Sequence, residues 1–269
     1  LMLITTSNVF AAYYPSSSWE ISSPENQQVR TDNVDALVNL AFLDDSTQAV
    51  VVIKNGKIIS EKYAEGYDKN SHGTSWSMAK SYYAALIGIS IDRGEIGSLD
   101  DKVSDYLTYF NDERSEITIR DLLDMSSGLD FPKDEHETMF FQEDHLKYAM
   151  GVGVEKSAGL KFEYNNVNSM LLGDILIATT GKKADVLLKE RILDLIGVTD
   201  YKLWKDESGN VLTYCCVDMS ARDYSKIGLL FSRNGNWDGK QLISKQYIDE
   251  TFQVVWDVTP ERFTTLKRG

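Results

Sequence analysis

Apolar and polar positions recur along this chain with two different periods, and the switch between them divides it. Val34, Leu37, Val38 and Ala41 fall at i, i+3, i+4 and i+7, which predicts an amphipathic helix. Two apolar-rich runs follow, Ala49 to Lys54 and Lys57 to Tyr63, separated by Asn55-Gly56. Both central positions of such a two-residue turn need φ > 0, which Asn and Gly adopt most readily, so an antiparallel hairpin is predicted. From Ser77 onward the pattern becomes helical. Ala84 to Ile91 is almost entirely apolar, as in a helix buried on most sides. Asp100 to Leu107 is a short candidate helix. Thr118 with Asp121 three residues later reads as a capped helix start opening Leu122 to Met125. Phe131 to His145 is rich in acids and aperiodic, and reads as a loop. Asn168 is the expected cap of Met170 to Ile177, which Gly181 stops, and a further helix runs from Ala184 to Leu195 and ends at Gly197. Ser220 and Asp223 repeat the capping pattern ahead of Tyr224 to Phe231.

This order predicts an α+β (α/β) fold, an antiparallel sheet flanked by helices with an inserted, mostly helical region. Residues 13–76 and 215–269 would form the sheet region and 77–214 the helical one. Only Lys240 to Ile243 and Phe252 to Val258 follow the last long helix, and neither is expected to make a sheet edge alone. The C-terminus therefore reads as cut short, with strands still to come. Residues 1–12 are apolar and then small, like the remnant of a secretory signal, which implies a periplasmic or extracellular protein. An ordinary buried N-terminal segment is the alternative. No run of about 18 apolar residues is present, so no transmembrane segment is expected.

Composition narrows the partners. The 269 residues carry 28 Lys and Arg against 41 Asp and Glu, a formal charge of −13. Such a field repels phosphate backbones, so nucleic acid is not an expected partner. The two cysteines, Cys215 and Cys216, are adjacent, a spacing that strains a mutual disulfide and offers no thiolate metal cluster. Three histidines, His72, His136 and His145, lack ligand spacing, so neither a metal nor any other cofactor is expected. Gly73 to Ser77 lacks the final glycine of a nucleophile elbow. The acids Asp134, Glu135, Glu137, Glu143 and Asp144 read as a solvated loop.

Chemistry concentrates at Ser77-Met78-Ala79-Lys80. Residues three apart at a helix start project from one face, and the free N–H groups there favour a developing oxyanion. A partly desolvated lysine near a helix N-terminus has a lowered pKa and can take the serine proton as a neutral amine. The second feature is Tyr164-Asn165-Asn166, where a phenol and an amide could share a cleft, the phenol relaying a proton and the amide orienting a carbonyl.

Together these segments resemble the serine beta-lactamase-related family. The likeness rests on Ser77 to Ser81, Gly88 to Ile96, Leu99 to Val103, Ile117 to Leu129, Phe162 to Asn166, Ala221 to Leu230 and Asn236 to Lys240, in family order. It is strongest to the class C and penicillin-binding-protein-like branch, closest in flavour to 6-aminohexanoate-dimer hydrolase and class C-like esterases. The resemblance implies a beta-lactamase/transpeptidase-like fold, Ser77 as acylated nucleophile, Lys80 as its activator, Tyr164 as proton relay and Asn166 as substrate-binding amide. It implies a serine hydrolase acting on a small-molecule ester, amide or peptide. The alternative is a penicillin-binding or sensing module with little turnover, or a D,D-peptidase or beta-lactamase. The family's third motif is not found, and Lys267-Arg268-Gly269 lies too soon after Tyr164 to supply it.

Overall fold

The computed structural model describes residues 12–130 and 138–256. The first helix, α1 (Thr31–Ala41), packs on the hairpin of β1 (Ala49–Lys54) and β2 (Lys57–Tyr63). Asn55 and Gly56 both hold positive φ, 53° and 82°, as the turn requires. A Cβ on Gly56 would also lie 2.1 Å from the Tyr13 carbonyl oxygen, so close backbone approach fixes this residue as firmly as the turn does. Adjacent Ile58 and Ile59 are both buried because strand side chains alternate. Ile58 joins the main core, while Ile59 closes a small cluster with Val34 and Val38 of α1.

A second, three-stranded antiparallel sheet runs in the order β3 (His72–Thr74), β5 (Val217–Ser220), β4 (Tyr201–Leu203). Directly after β3 the chain enters the helical region through α2 (Ala79–Asp92). Its Tyr82, Tyr83, Ala85, Leu86, Ile87 and Ile89 are all buried, as its all-round apolar pattern demands. Then come α3 (Ile119–Leu123), α4 (His145–Gly151), α5 (Asn166–Thr180) and α6 (Ala184–Leu188). Helix α2 packs against both α5 and α6. At Gly88 an added Cβ would meet the Tyr247 ring at 2.4 Å, which lets α8 (Lys245–Thr251) lie close. Helix α7 (Ala221–Ser232) starts straight from β5 and covers β1. The fold is thus mixed α and β, built from small antiparallel sheets and a helical layer.

Several expectations shift in detail. Thr118 and Asp121 do form a reciprocal capping box on α3, and Ser220 caps α7 through the Asp223 N–H. Helix α5, however, is capped by Asn165, whose side chain accepts from the Val167 N–H at 3.0 Å. Asn168 lies inside the helix, where Ser127 donates to its Oδ1 at 2.7 Å. The reason is positional, since Asn165 has the extended backbone a cap needs. Of Asp100 to Leu107 only Val103–Asp105 makes a single tight turn. Thr138–Phe141 is a 3₁₀ turn inside the expected loop, the first part of which lies outside the described residues. The predicted Ala184 to Leu195 helix is α only to Leu188 and continues as a π-turn over Lys189–Leu193. Lys240–Gln241 does pair, with Asn236–Trp237, as a two-stranded ribbon. The sulfurs of the adjacent Cys215 and Cys216 lie against each other.

The π-turn carries Arg191, 7% exposed, which grips both carboxylate oxygens of Glu95 at 2.7 Å and also reaches Ser90. Hydrogen bonding to Arg191 holds the Glu95 carboxyl below its ordinary value of 4.5, although burial opposes the shift. A carboxylate whose folded pKa is depressed stabilises the fold above its unfolded pKa, and that contribution is lost as pH falls through the folded pKa. The urea midpoint should therefore fall as pH is lowered beneath 4.5, and an Arg191→Leu variant should show a flatter profile over that window.

Candidate active site

Ser75, Trp76 and Ser77 leave the sheet by a tight turn that leads into α2. Ser75 is stitched to β5, its N–H donating to the Val217 carbonyl at 2.8 Å and its Oγ accepting from the Val217 N–H at 2.9 Å. Trp76 then adopts φ 44°, a left-handed conformation rare for a large side chain. The Cys216 N–H donates to its carbonyl at 3.3 Å. That turn places Ser77 just ahead of α2, exposed, within a short 3₁₀ segment, Trp76–Met78.

Lys80 reaches back from the first turn of α2. Its Nζ lies 3.1 Å from Ser77 Oγ and donates to the Tyr214 carbonyl at 2.5 Å. The same nitrogen sits 4.9 Å from the Tyr164 ring centroid and 5.8 Å from that of Tyr214. Ser77, Lys80 and Tyr164 therefore converge from two chain segments far apart in sequence. Tyr164 is 43% exposed, open to an incoming molecule.

A loop from the other side holds Tyr164. The Glu163 N–H donates to the Met125 carbonyl at 2.7 Å, and Asn165 Nδ2 reaches the carbonyls of Leu129 and Asp130. Within this loop Gly128 has φ 71°, and a Cβ there would fall 2.1 Å from the Lys156 carbonyl oxygen. Asn166 opens α5, half-buried, and its side-chain Oδ1 is buried without a hydrogen-bond partner. An acceptor left in that state is costly unless something outside the chain satisfies it. Removing the cap with Asn165→Ala should lower stability by about 1–2 kcal/mol, read as a shift of the denaturant midpoint.

Sequence inspection passed over Tyr214. Its carbonyl anchors Lys80, Thr213 beside it donates to the Ser169 carbonyl of α5 at 2.7 Å, and its buried hydroxyl meets His145 Nδ1 at 3.0 Å. His145 starts α4, where its N–H donates to Asp206. Burial pushes the Asp206 carboxyl up, but hydrogen bonds from Asn210 and the His145 N–H outweigh it and leave it below its usual range. Only the adjacent cysteine pair flagged this stretch in the sequence. Trp76 and Trp204 were also missed. Their rings lie 6.3 Å apart beside Ser77, and no period marks either one.

Among the described residues no group of three or more His, Cys, Asp or Glu side chains could hold a metal ion. Nor is any described helix long and apolar enough to cross a membrane. Lys267-Arg268-Gly269, His136 and the acids Asp134, Glu135 and Glu137 lie outside the described residues, as does nearly all of the apolar N-terminal stretch.

Comparison with known proteins bears on the family and the fold. An N-acetylmuramyl-L-alanine amidase of Bacillus subtilis (strain 168) is 27% identical over a match covering 53% of this chain and 39% of that protein. Protein flp of Staphylococcus aureus (strain COL) is 29% identical over 48% of this chain and 29% of its own length. The chain thus spans well under half the length of these curated relatives. Among solved structures, a protein from Bacillus anthracis described as a putative 6-aminohexanoate-dimer hydrolase superposes with a TM-score of 0.72 at 21% identity, over 90% of this chain and 68% of that one. EstCE1, a hydrolase with promiscuous acyltransferase activity, gives 0.70 at 15% identity, over 90% and 81%. These likenesses establish a beta-lactamase/transpeptidase-like fold. The beta-lactamase family model matches residues 43–233, which include Ser77, Lys80, Tyr164 and Tyr214, and the chain belongs to the beta-lactamase family.

Proposed function

We propose that this chain is a serine hydrolase that cleaves a small ester or amide through an acyl-enzyme on Ser77. One observation carries the proposal: Lys80 Nζ stands 3.1 Å from Ser77 Oγ, with the Tyr164 ring 4.9 Å from the same nitrogen. A neutral amine at that distance accepts the Ser77 proton as Oγ bonds to the substrate carbonyl carbon. The negative charge that develops on the carbonyl oxygen is met by the Ser77 N–H, just ahead of the positive end of α2. The tetrahedral adduct collapses by breaking the bond to the leaving alcohol or amine, which takes a proton relayed through Tyr164. Water then attacks the ester on Ser77, giving up a proton to the same Lys80/Tyr164 pair; the acyl–Oγ bond breaks, Ser77 Oγ takes that proton, and the carboxylic acid leaves. The unpartnered Oδ1 of Asn166 supports a role in orienting the substrate, as an acceptor for an amide N–H.

The test is covalent labelling. A fluorophosphonate should add one phosphonyl group to Ser77, seen by intact mass and peptide mapping, and Ser77→Ala should take up none. Labelling that persists in Ser77→Ala would overturn the assignment. A chromogenic cephalosporin, an aminohexanoate amide and a p-nitrophenyl ester, assayed side by side, would order the acyl donors. Turnover of the ester or the amide ahead of the cephalosporin is the expected order. A stable cephalosporin adduct without turnover of any of them would mark a penicillin-binding module instead.

A further inference from the structure

Most exposed aromatics on a protein surface sit singly, but Trp76 does not. It is 61% exposed, it immediately precedes Ser77, and its backbone is held at φ 44°. Residues kept in such sparsely populated conformations collect at functional sites, where surrounding bonds over-determine them. Here those bonds are the Cys216 N–H and Ser75 Oγ, which both donate to the Trp76 carbonyl. The Trp76 ring leans on Trp204 at 6.3 Å with the planes tilted by 54°. Trp204 is fixed in turn. Its Nε1–H donates to Asp218 Oδ2 at 2.8 Å, and its backbone N–H donates to the Cys216 carbonyl. Asp218 is held from its other oxygen by the Thr74 hydroxyl. Two indoles at that tilt make an open apolar corner rather than a closed stack, and its Trp204 wall and the Trp76 backbone are fixed before anything enters it.

The corner's position says which half of a substrate would use it. The segment Tyr214–Cys216 touches Lys80 at its first residue and Trp76 at its last. Lys80 and Tyr164 thus gather at one end of that segment and the two tryptophans at the other. A leaving group departs toward its proton donor, so the group retained on Ser77 is the one nearer the tryptophans. We infer that Trp76 and Trp204 form an acyl-group subsite selecting flat aromatic or arylalkyl acyl groups. This rests on the Ser77 acyl-enzyme proposed above.

The experiment compares p-nitrophenyl phenylacetate with p-nitrophenyl acetate. In the unmodified protein kcat/KM should favour phenylacetate, and in Trp76→Leu the phenylacetate-to-acetate ratio should fall about tenfold, the scale of one lost aromatic contact. Trp76→Phe should keep most of the preference. A ratio unchanged within about twofold in Trp76→Leu would overturn the subsite, as would preference for an ester bearing an ammonium in place of the phenyl ring, since that would mean a cation site. A second arm needs no turnover. Phenylacetate binding to the Ser77→Ala protein, followed by calorimetry, should weaken about tenfold when Trp76→Leu is added, and equal binding to both proteins would sink the subsite. Failure of Ser77 to take a fluorophosphonate would count against the nucleophile alone, while the binding arm still decides the subsite.

Discussion

Ser77→Ala is expected to lower turnover of an activated ester by about 10⁴-fold or more, with a circular dichroism spectrum and a thermal midpoint close to those of the parent. Both halves follow from position. The Ser77 side chain is exposed and fills no part of the core, so its loss removes only the atom proposed to form the covalent bond. Lys80→Met should fall nearly as far, because nucleophile and base act as a unit and their effects do not add. Combining the two substitutions should thus be little worse than either alone. Tyr164→Phe should lose less, about 10²-fold, because a relay hydroxyl assists proton transfer without forming the bond. Steady-state rates of the three variants and the double variant check all of this. A Lys80→Met protein retaining more than about a tenth of the parent activity would contradict the proposed proton acceptor.

Gly128→Ala should destabilise the fold by about 2–4 kcal/mol and also depress activity in the molecules that remain folded. Position 128 holds φ 71°, and its missing Cβ leaves room for the Lys156 carbonyl. That carbonyl belongs to a chain segment whose Glu155 and Lys156 N–H groups both donate to the Gly128 carbonyl. The same loop supplies the Met125 carbonyl that receives the Glu163 N–H, one residue before Tyr164. Moving the loop to relieve the contact therefore moves the phenol. Urea unfolding gives the stability, and kcat per labelled Ser77 gives the activity of the folded fraction. A variant that loses stability but keeps full kcat would show that Tyr164 is positioned by something else.

The sequence exposed this fold where one physical cause dominated. The Asn55-Gly56 hairpin, the largely apolar α2 and the Thr118/Asp121 box each follow from a local rule, and each is present. Asn165 and Asn168 show the limit. Both are plausible caps by residue type and both are buried, and only the fold decides that Asn165 receives the Val167 N–H while Asn168 receives the Ser127 hydroxyl. The proximity of the candidate site side chains was legible for a similar reason. Ser77 and Lys80 sit one helical turn apart, so their approach is encoded locally, whereas Tyr164 needed the resemblance to a family before it could be joined to them. Tyr214 was invisible because its contribution is a backbone atom, and every residue has one. The Trp76–Trp204 corner was missed because it joins the turn before α2 to the residue following β4, a meeting that only the three-stranded sheet creates.

The bond from Lys80 to the Tyr214 carbonyl carries a consequence for how this protein can change over generations. A main-chain oxygen cannot be deleted by a point mutation, so the lysine's anchor is sheltered from drift at position 214 itself. What drift can alter is the height and angle at which that carbonyl is presented, through Thr213 on one side and the cysteine pair on the other. Homologues are therefore expected to keep small or hydrogen-bonding residues around position 214. The readiness of the amine to take a proton would then be tuned in small steps by neighbours that never touch a substrate.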